Sequence, residues 1–198
     1  MTNYDFDKSF INDGELLAGI DEAGRGPLAG PVVASAVILN PSEKISGLND
    51  SKKLSEKKRF LLYEIIIKKA VCYSVCYIDH NKIDEINIYQ ASKLAMLNAL
   101  NSLELQPKVV LTDAMPMSFP EMQVQAIKKG DTKSASIMAA SILAKVERDE
   151  IMKHMDSVFP GYNFIKHKGY PTKAHREAIQ KLGPCLIHRK SFTLLRDT

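Results

Sequence analysis

The chain has 198 residues, 45% of them hydrophobic, enough to bury one full core or a main domain with a modest appendage. A formal net charge of +4, with 25% of residues charged, tilts an ordinary surface toward cations and suits an anionic partner. No window approaches the roughly 18 uninterrupted apolar residues of a membrane helix, and the polar, acidic start MTNYDFDKSFINDG reads as neither signal peptide nor anchor.

In chain order, LLAGI (16–20) is a short apolar run that ends at the adjacent acids Asp21 and Glu22. PVVASAVIL (31–39) is a β-branched run beyond a glycine-rich connection, so the two are predicted to pair as strands. From Ser55, a plausible N-cap, to Lys69, Leu61 with Ile65 and Leu62 with Ile66 fall at helical spacing. AVCYSVCYI follows as a strand whose period of two puts Cys72 and Cys76 on one face. With Cys185 they make an odd number, read as reduced residues of a reducing compartment, and the expected location is cytoplasmic. Tyr89, Met96, Leu100 and Leu103 form the stripe of the next helix, which Pro107 stops before the strand KVVLTDA. EMQVQAI (121–127) adds a strand, and the long helix after Asp131 carries Ala135, Ala139, Ile142 and Val146 on one stripe. A last short helix starts near Thr172 and stops at Gly183–Pro184, leaving an exposed tail.

Two leading strands, then strands and helices in alternation, predict an α/β fold with a mixed sheet flanked by helices and a small C-terminal helical region. The expected divisions are an N-terminal extension over 1–14, a main sheet domain over 15–155, and a helical and loop region over 156–198.

Four carboxylates stand at or near predicted strand ends: Asp21, Glu22, Asp113 and Asp131. Each alone also fits a helix cap, a turn or a solvated loop. As a set they point elsewhere, because acids crowded into one pocket repel unless they protonate or share a cation. Oxygen ligands without a Cys or His pattern favour Mg²⁺ or Mn²⁺ over zinc, and two such ions suit in-line displacement at phosphorus. In GRG (24–26) bare backbone can approach a ligand beside the Arg25 cation, although no Gly-Lys-Ser/Thr ending marks a nucleotide loop. DSKKL puts Ser51, Lys52 and Lys53 before a helix, where phosphate contacts are common. HKGYPTKAH (167–175) and HRKSF (188–192) interleave basic residues with Tyr170 and Phe192, a pattern suited to backbone contact and stacking. His167, His175 and His188 lack zinc spacing.

These residues lie in GIDEAGRGPLAGPVVASAVIL, NDSKKLSEKKR, KKGDTKSASIMAASILAKVERD, HKGYPTKAH and GPCLIHRKSF. In that order, over most of 15–192, they closely resemble the type 2 ribonuclease H family, bacterial ribonuclease HII. The resemblance implies a ribonuclease H-like sheet domain and endonucleolytic cleavage of RNA in RNA–DNA hybrids. It further implies cleavage 5′ of ribonucleotides embedded in duplex DNA, leaving 3′-hydroxyl and 5′-phosphate ends. It makes Asp21, Glu22, Asp113 and Asp131 the metal-binding catalytic acids. By the same resemblance Gly24, Arg25 and Gly26 contact the ribonucleotide and its 2′-hydroxyl, while Tyr170 senses the RNA-to-DNA step. One departure is TDAM, where Ala114 stands in place of the usual glycine. The expected state is a monomer; KSFTLLRDT is only a weak apolar tail for a clamp contact. A DNA-specific nuclease of similar fold and a catalytically silent nucleic-acid-binding module are the alternatives.

Overall fold

The computed structural model describes residues 2–195. Five strands make one mixed sheet: β1 (Leu17–Ala23), β2 (Val32–Leu39), β3 (Ala70–Ile78), β4 (Val109–Asp113) and β5 (Gln123–Ile127), in the order β3-β2-β1-β4-β5. β1 to β3 form an antiparallel run, and β4 and β5 extend it in parallel to β1. The first strand runs further than its apolar residues foretold. It carries both acids, with Asp21 paired to Ser35 and Glu22 to Ala34, because main-chain pairing with β2 continues through Ala23 whatever the side chains.

Alternation along β1 sorts its side chains. Ala18 and Ile20 join the core beneath α3 (His80–Asn101), whereas Leu17, Gly19 and Asp21 turn toward α4 (Ala135–Val158). α4 rides directly on β1: a Cβ at Gly19 would overlap the backbone of Ser136 and Ile137. The predicted stripe Ala135, Ala139, Ile142 and Val146 is buried there, and its small side chains permit that approach. α1 (Asn3–Lys8) is tied to the same place, since Asp7 Oδ2 accepts from Ser136 N at 2.8 Å.

α2 (Glu56–Lys69) starts at Ser55, whose hydroxyl accepts from Lys58 N as an N-cap. It buries Leu62 and Ile66, while Leu61 stays exposed. In α3, Met96, Leu100 and Leu103 lie in the core as expected, but Tyr89 is 41% exposed. The cause is Asn87, whose φ of 66° interrupts the helix and shifts its phase; its side chain then caps the second segment by accepting from Tyr89 N and Gln90 N. Cys72 and Cys76 do share the α3 face of β3, and the three cysteines are unpaired.

α5 (Phe164–His167) and α6 (Lys173–Leu182) follow α4, which itself crosses the expected division at 155. They close a separate apolar cluster of Leu28, Ala29, Met152, Tyr162, Phe164 and Ile179. The segment after Gly183 is no exposed tail up to Arg189. It folds back onto the loop between β1 and β2, with Gly30 N donating to Ile187 O and Arg189 N donating to Leu28 O, and His188 and Arg189 are wholly buried. Among the described residues no helix is long and apolar enough to cross a membrane.

Candidate active site

Ile20 pairs with Thr112 across the parallel β1–β4 ladder, so Asp21 and Asp113 emerge from neighbouring strands at the next rung. Asp113 Oδ1 accepts from Gly130 N at 2.8 Å, which fastens the end of β4 to the 3-10 turn Gly130–Thr132 that carries Asp131. Ser134, not Asp131, caps α4, so no helix cap accounts for Asp131. Asp21 is 5% exposed and Asp131 6%, and Glu22 Oε2 is buried with no hydrogen-bond partner among the described residues.

Burial pushes the Asp21 carboxyl well up, and the nearby Glu22 and Asp113 charges push it further. The Ser141 hydroxyl and the Glu22 N–H, which donates to Asp21 Oδ1 at 2.7 Å, oppose this without cancelling it. Glu22 is raised by burial against the opposing charge of Arg25, and Asp113 by burial against the Gly130 N–H. Two cations approach from the rim. Lys52 Nζ lies 3.0 Å from Asp131 Oδ2, and Arg25 Nη1 lies 3.3 Å from Glu22 Oε1. Burial works to lower Lys52, but the Asp131 carboxylate beside it outweighs that and raises it. Among the described residues no three His, Cys, Asp or Glu side chains are gathered into a ready-made metal cage.

The other residues singled out in the sequence divide. Lys52 reaches the acids, whereas Lys53 is exposed and Ser51 is buried, its hydroxyl 2.9 Å from that of Ser141. Ser51 therefore supports the residue that holds Asp21. Gly24 has φ of +101°, and a Cβ there would overlap the Arg148 side chain, so its bareness serves internal packing. At Gly26 a Cβ would stand 3.8 Å from the Tyr170 ring, in van der Waals contact, so this glycine and the tyrosine face each other. Tyr170 is 38% exposed, with Lys145 Nζ and Arg148 Cζ 5.8 and 5.7 Å from its ring centroid.

The three histidines singled out in the sequence are not surface groups. His175 and His188 are wholly buried and His167 nearly so. Cys185 N donates to His188 Nδ1, which leaves the His188 Nε2 proton for His175 Nε2 at 3.1 Å and the His175 Nδ1 proton for Tyr170 O at 3.0 Å. The chain of neutral imidazoles ends on the tyrosine's own carbonyl. Sequence reasoning missed Ser141, Arg148 and Arg189; a charged residue four positions before the buried Met152 on α4 was the available signal for Arg148. Ala114 adopts φ of 54°, a left-handed conformation suited to glycine.

Comparison with known proteins agrees with this architecture. The family model for ribonuclease HII matches residues 18–195. The chain is 50% identical over 198 residues to the ribonuclease HII of Listeria monocytogenes, covering all of this chain and 75% of that protein. It is also 50% identical over 190 residues to that of Caldicellulosiruptor bescii, covering 96% and 92%. Among solved structures, the ribonuclease H2 of Pyrococcus horikoshii superposes with a TM-score of 0.76 at 27% identity, over 90% of this chain and 94% of that one. The ribonuclease HII solved in complex with PCNA from Archaeoglobus fulgidus gives 0.76 at 28% identity, over 92% and 98%. With the family model, full-length relatives and solved folds all in accord, the chain belongs to the ribonuclease HII family.

Proposed function

We propose that Asp21, Glu22, Asp113 and Asp131 form the catalytic centre of this hybrid-cleaving endoribonuclease, and that it also cuts 5′ of ribonucleotides embedded in duplex DNA, leaving 3′-hydroxyl and 5′-phosphate ends. The observation that carries the reading is a run of facing charges, Asp21 with Glu22 and Asp113, and Asp113 with Asp131, three of the four raised by burial and two in contact with cationic side chains. Glu22 Oε2 in particular is a buried acceptor awaiting a partner. Such a set fits hard divalent ions, and these four residues would hold Mg²⁺ or Mn²⁺, two in the productive complex. Bound there, the ions supply the Lewis acidity that activates water and offsets charge at the scissile phosphate.

The chain's own groups do the rest. Lys52 and Arg25 neutralise the acids at the rim and stand where a phosphodiester would approach, with Lys53 adding charge beyond them. Gly24, Arg25 and Gly26 offer main-chain donors to the ribose 2′-hydroxyl, and a deoxy sugar would leave them unpaired. Tyr170, opposite Gly26, is placed to stack on the sugar at the RNA-to-DNA step. The protein is proposed to act as a cytoplasmic monomer. A clamp contact through KSFTLLRDT, whose residues 196–198 lie outside the described ones, has no support beyond the archaeal relative's complex.

The test is cleavage of a DNA duplex carrying one ribonucleotide, beside an all-DNA duplex and an RNA–DNA hybrid, with Mg²⁺, with Mn²⁺ and with chelator. Metal-dependent cutting 5′ of the ribonucleotide is expected, with the all-DNA duplex intact. Cutting of the hybrid alone would remove the single-ribonucleotide reading, and cutting of all-DNA duplex would favour a DNA nuclease.

A further inference from the structure

Two arginines lie beneath the glycine loop with no carboxylate paired to either. Arg148 and Arg189 are both wholly buried and make no salt bridge among the described residues. Every partner recorded for their guanidinium nitrogens is a main-chain carbonyl. Arg189 donates from Nε to Gly30 O at 2.9 Å, from Nη1 to Arg25 O at 3.0 Å and from Nη2 to Gly24 O at 2.6 Å. Arg148 donates from Nε to Pro31 O at 3.0 Å, from Nη1 to Lys168 O at 3.0 Å and from Nη2 to Ala29 O at 3.2 Å. The Phe192 ring, 5.1 Å from Arg189 Cζ, covers one guanidinium, and Tyr170 lies over the other.

The arrangement polarises the loop. Five carbonyls between Gly24 and Pro31 are drawn inward onto the two cations. The N–H groups of Arg25 and Gly26, in contrast, find no acceptor among the described residues. Further along, Leu28 N and Gly30 N are taken by Gly169 O and Ile187 O. Around Arg25 and Gly26, oxygens in and donors free is the polarity needed to meet a hydroxyl or phosphate oxygen. Burying two guanidinium ions costs several kcal/mol each before compensation, and replacing such groups by apolar ones would serve stability as well. Burial pushes Arg189 down to about 9 and Arg148 to about 10, so both remain cationic at neutral pH and place positive charge directly under the substrate-facing backbone.

We infer that Arg189 and Arg148 are positioning residues for ribose recognition: by holding the loop's carbonyls inward they fix the Arg25 and Gly26 N–H groups outward, at the sugar. The inference rests on the reading of Gly24–Gly26 as the ribose contact. Lysine at either position keeps the charge but cannot reach three diverging carbonyls.

The experiment compares Arg189→Lys with the wild type by kinetics on the single-ribonucleotide duplex and by hydrogen exchange over residues 24–31. The expected result is a kcat lower by about 10- to 100-fold with KM changed less than about threefold, since phosphate contacts elsewhere survive while sugar alignment does not. Amide exchange in 24–31 should rise about tenfold or more while the strands stay protected. A folded variant with wild-type kcat, or with unchanged exchange in the loop, would overturn the inference; lowered thermal stability alone is what mere scaffolding would give. If Arg189→Lys does not fold, Arg148→Lys takes its place. The wild type supplies a variant-free measurement, because Nε–H signals of Arg148 and Arg189 must exchange slowly with solvent, and rapid exchange would refute the clamp. Should the wild type fail to cut the single-ribonucleotide duplex, the proposed function falls, while the exchange data still decide the clamp.

Discussion

Two charged regions stand side by side on this fold and are built on opposite plans. At the acid pocket, carboxylates face one another, and among the described residues one oxygen of Glu22 has no partner and the counter-ions are two side chains from the rim. Beneath the glycine loop, two buried guanidinium ions have a carbonyl at every nitrogen and one aromatic face each. The first is under-compensated and the second saturated. Saturation makes a rigid base, whereas the deficit leaves a place for cations that the chain does not itself provide.

The sharpest break in that comparison is Asp21→Asn. Turnover should fall by about 10³-fold or more, because a carboxylate at the centre of the set cannot be replaced by an amide that brings no charge to an incoming cation. In chelator the same variant should be more stable than wild type by about 1 kcal/mol, since it removes one of the repelling charges. The sign follows from Asp21 being raised in the folded state. Its protonated form is the one folding favours, so the advantage of the variant should shrink as pH falls and wild-type Asp21 takes up its proton. Urea unfolding of both proteins at neutral and acid pH measures this; equal stability at neutral pH would show that the pocket is not strained.

The histidine chain responds in the reverse direction. Burial, chiefly, pushes His175 down to about 4, with the tightly packed His167 and His188 also lowered. The unfolded chain then binds protons that the folded one refuses. Stability is complete above about pH 6.5 and falls as pH drops toward 4, by up to about 3 kcal/mol for His175. His175→Gln, which can still donate to Tyr170 O and accept from His188, should flatten that slope between pH 7 and 4.5. Parallel slopes in the two proteins would rule out His175 as their cause.

What the sequence disclosed divides along the same line. The position of Asp113 at a strand end was legible because charge at the end of an apolar run is conspicuous, and the alternation along VCYSVC placed its cysteines correctly. The saturated region was not. Arg189 and His188 sit in a basic stretch that reads as surface, and only the fold-back of 187–189 onto Leu28 and Gly30 turns it inward. The partner of Ser51 was hidden for a similar reason: Ser141 comes from 90 residues away to meet it. Tyr89 failed on a local event, the turn at Asn87, that no periodicity announces.

The smallest expected effect lies between the two regions, directly after Asp113. Ala114 holds φ of 54°, where its Cβ crowds its own backbone by roughly 1 kcal/mol, while its N–H donates to Ile127 O at 3.1 Å and so keeps β4 in register with the turn bearing Asp131. Ala114→Gly relieves the crowding but also frees the unfolded chain, so the net gain should be only about 0.5 kcal/mol, visible as a small rise in Tm. Because the conformation is already the one glycine prefers, activity should stay within about twofold. A loss of stability on making the glycine would mean that the left-handed geometry is not what this position adopts, and with it the placement of Asp113 against Asp131 would have to be redrawn.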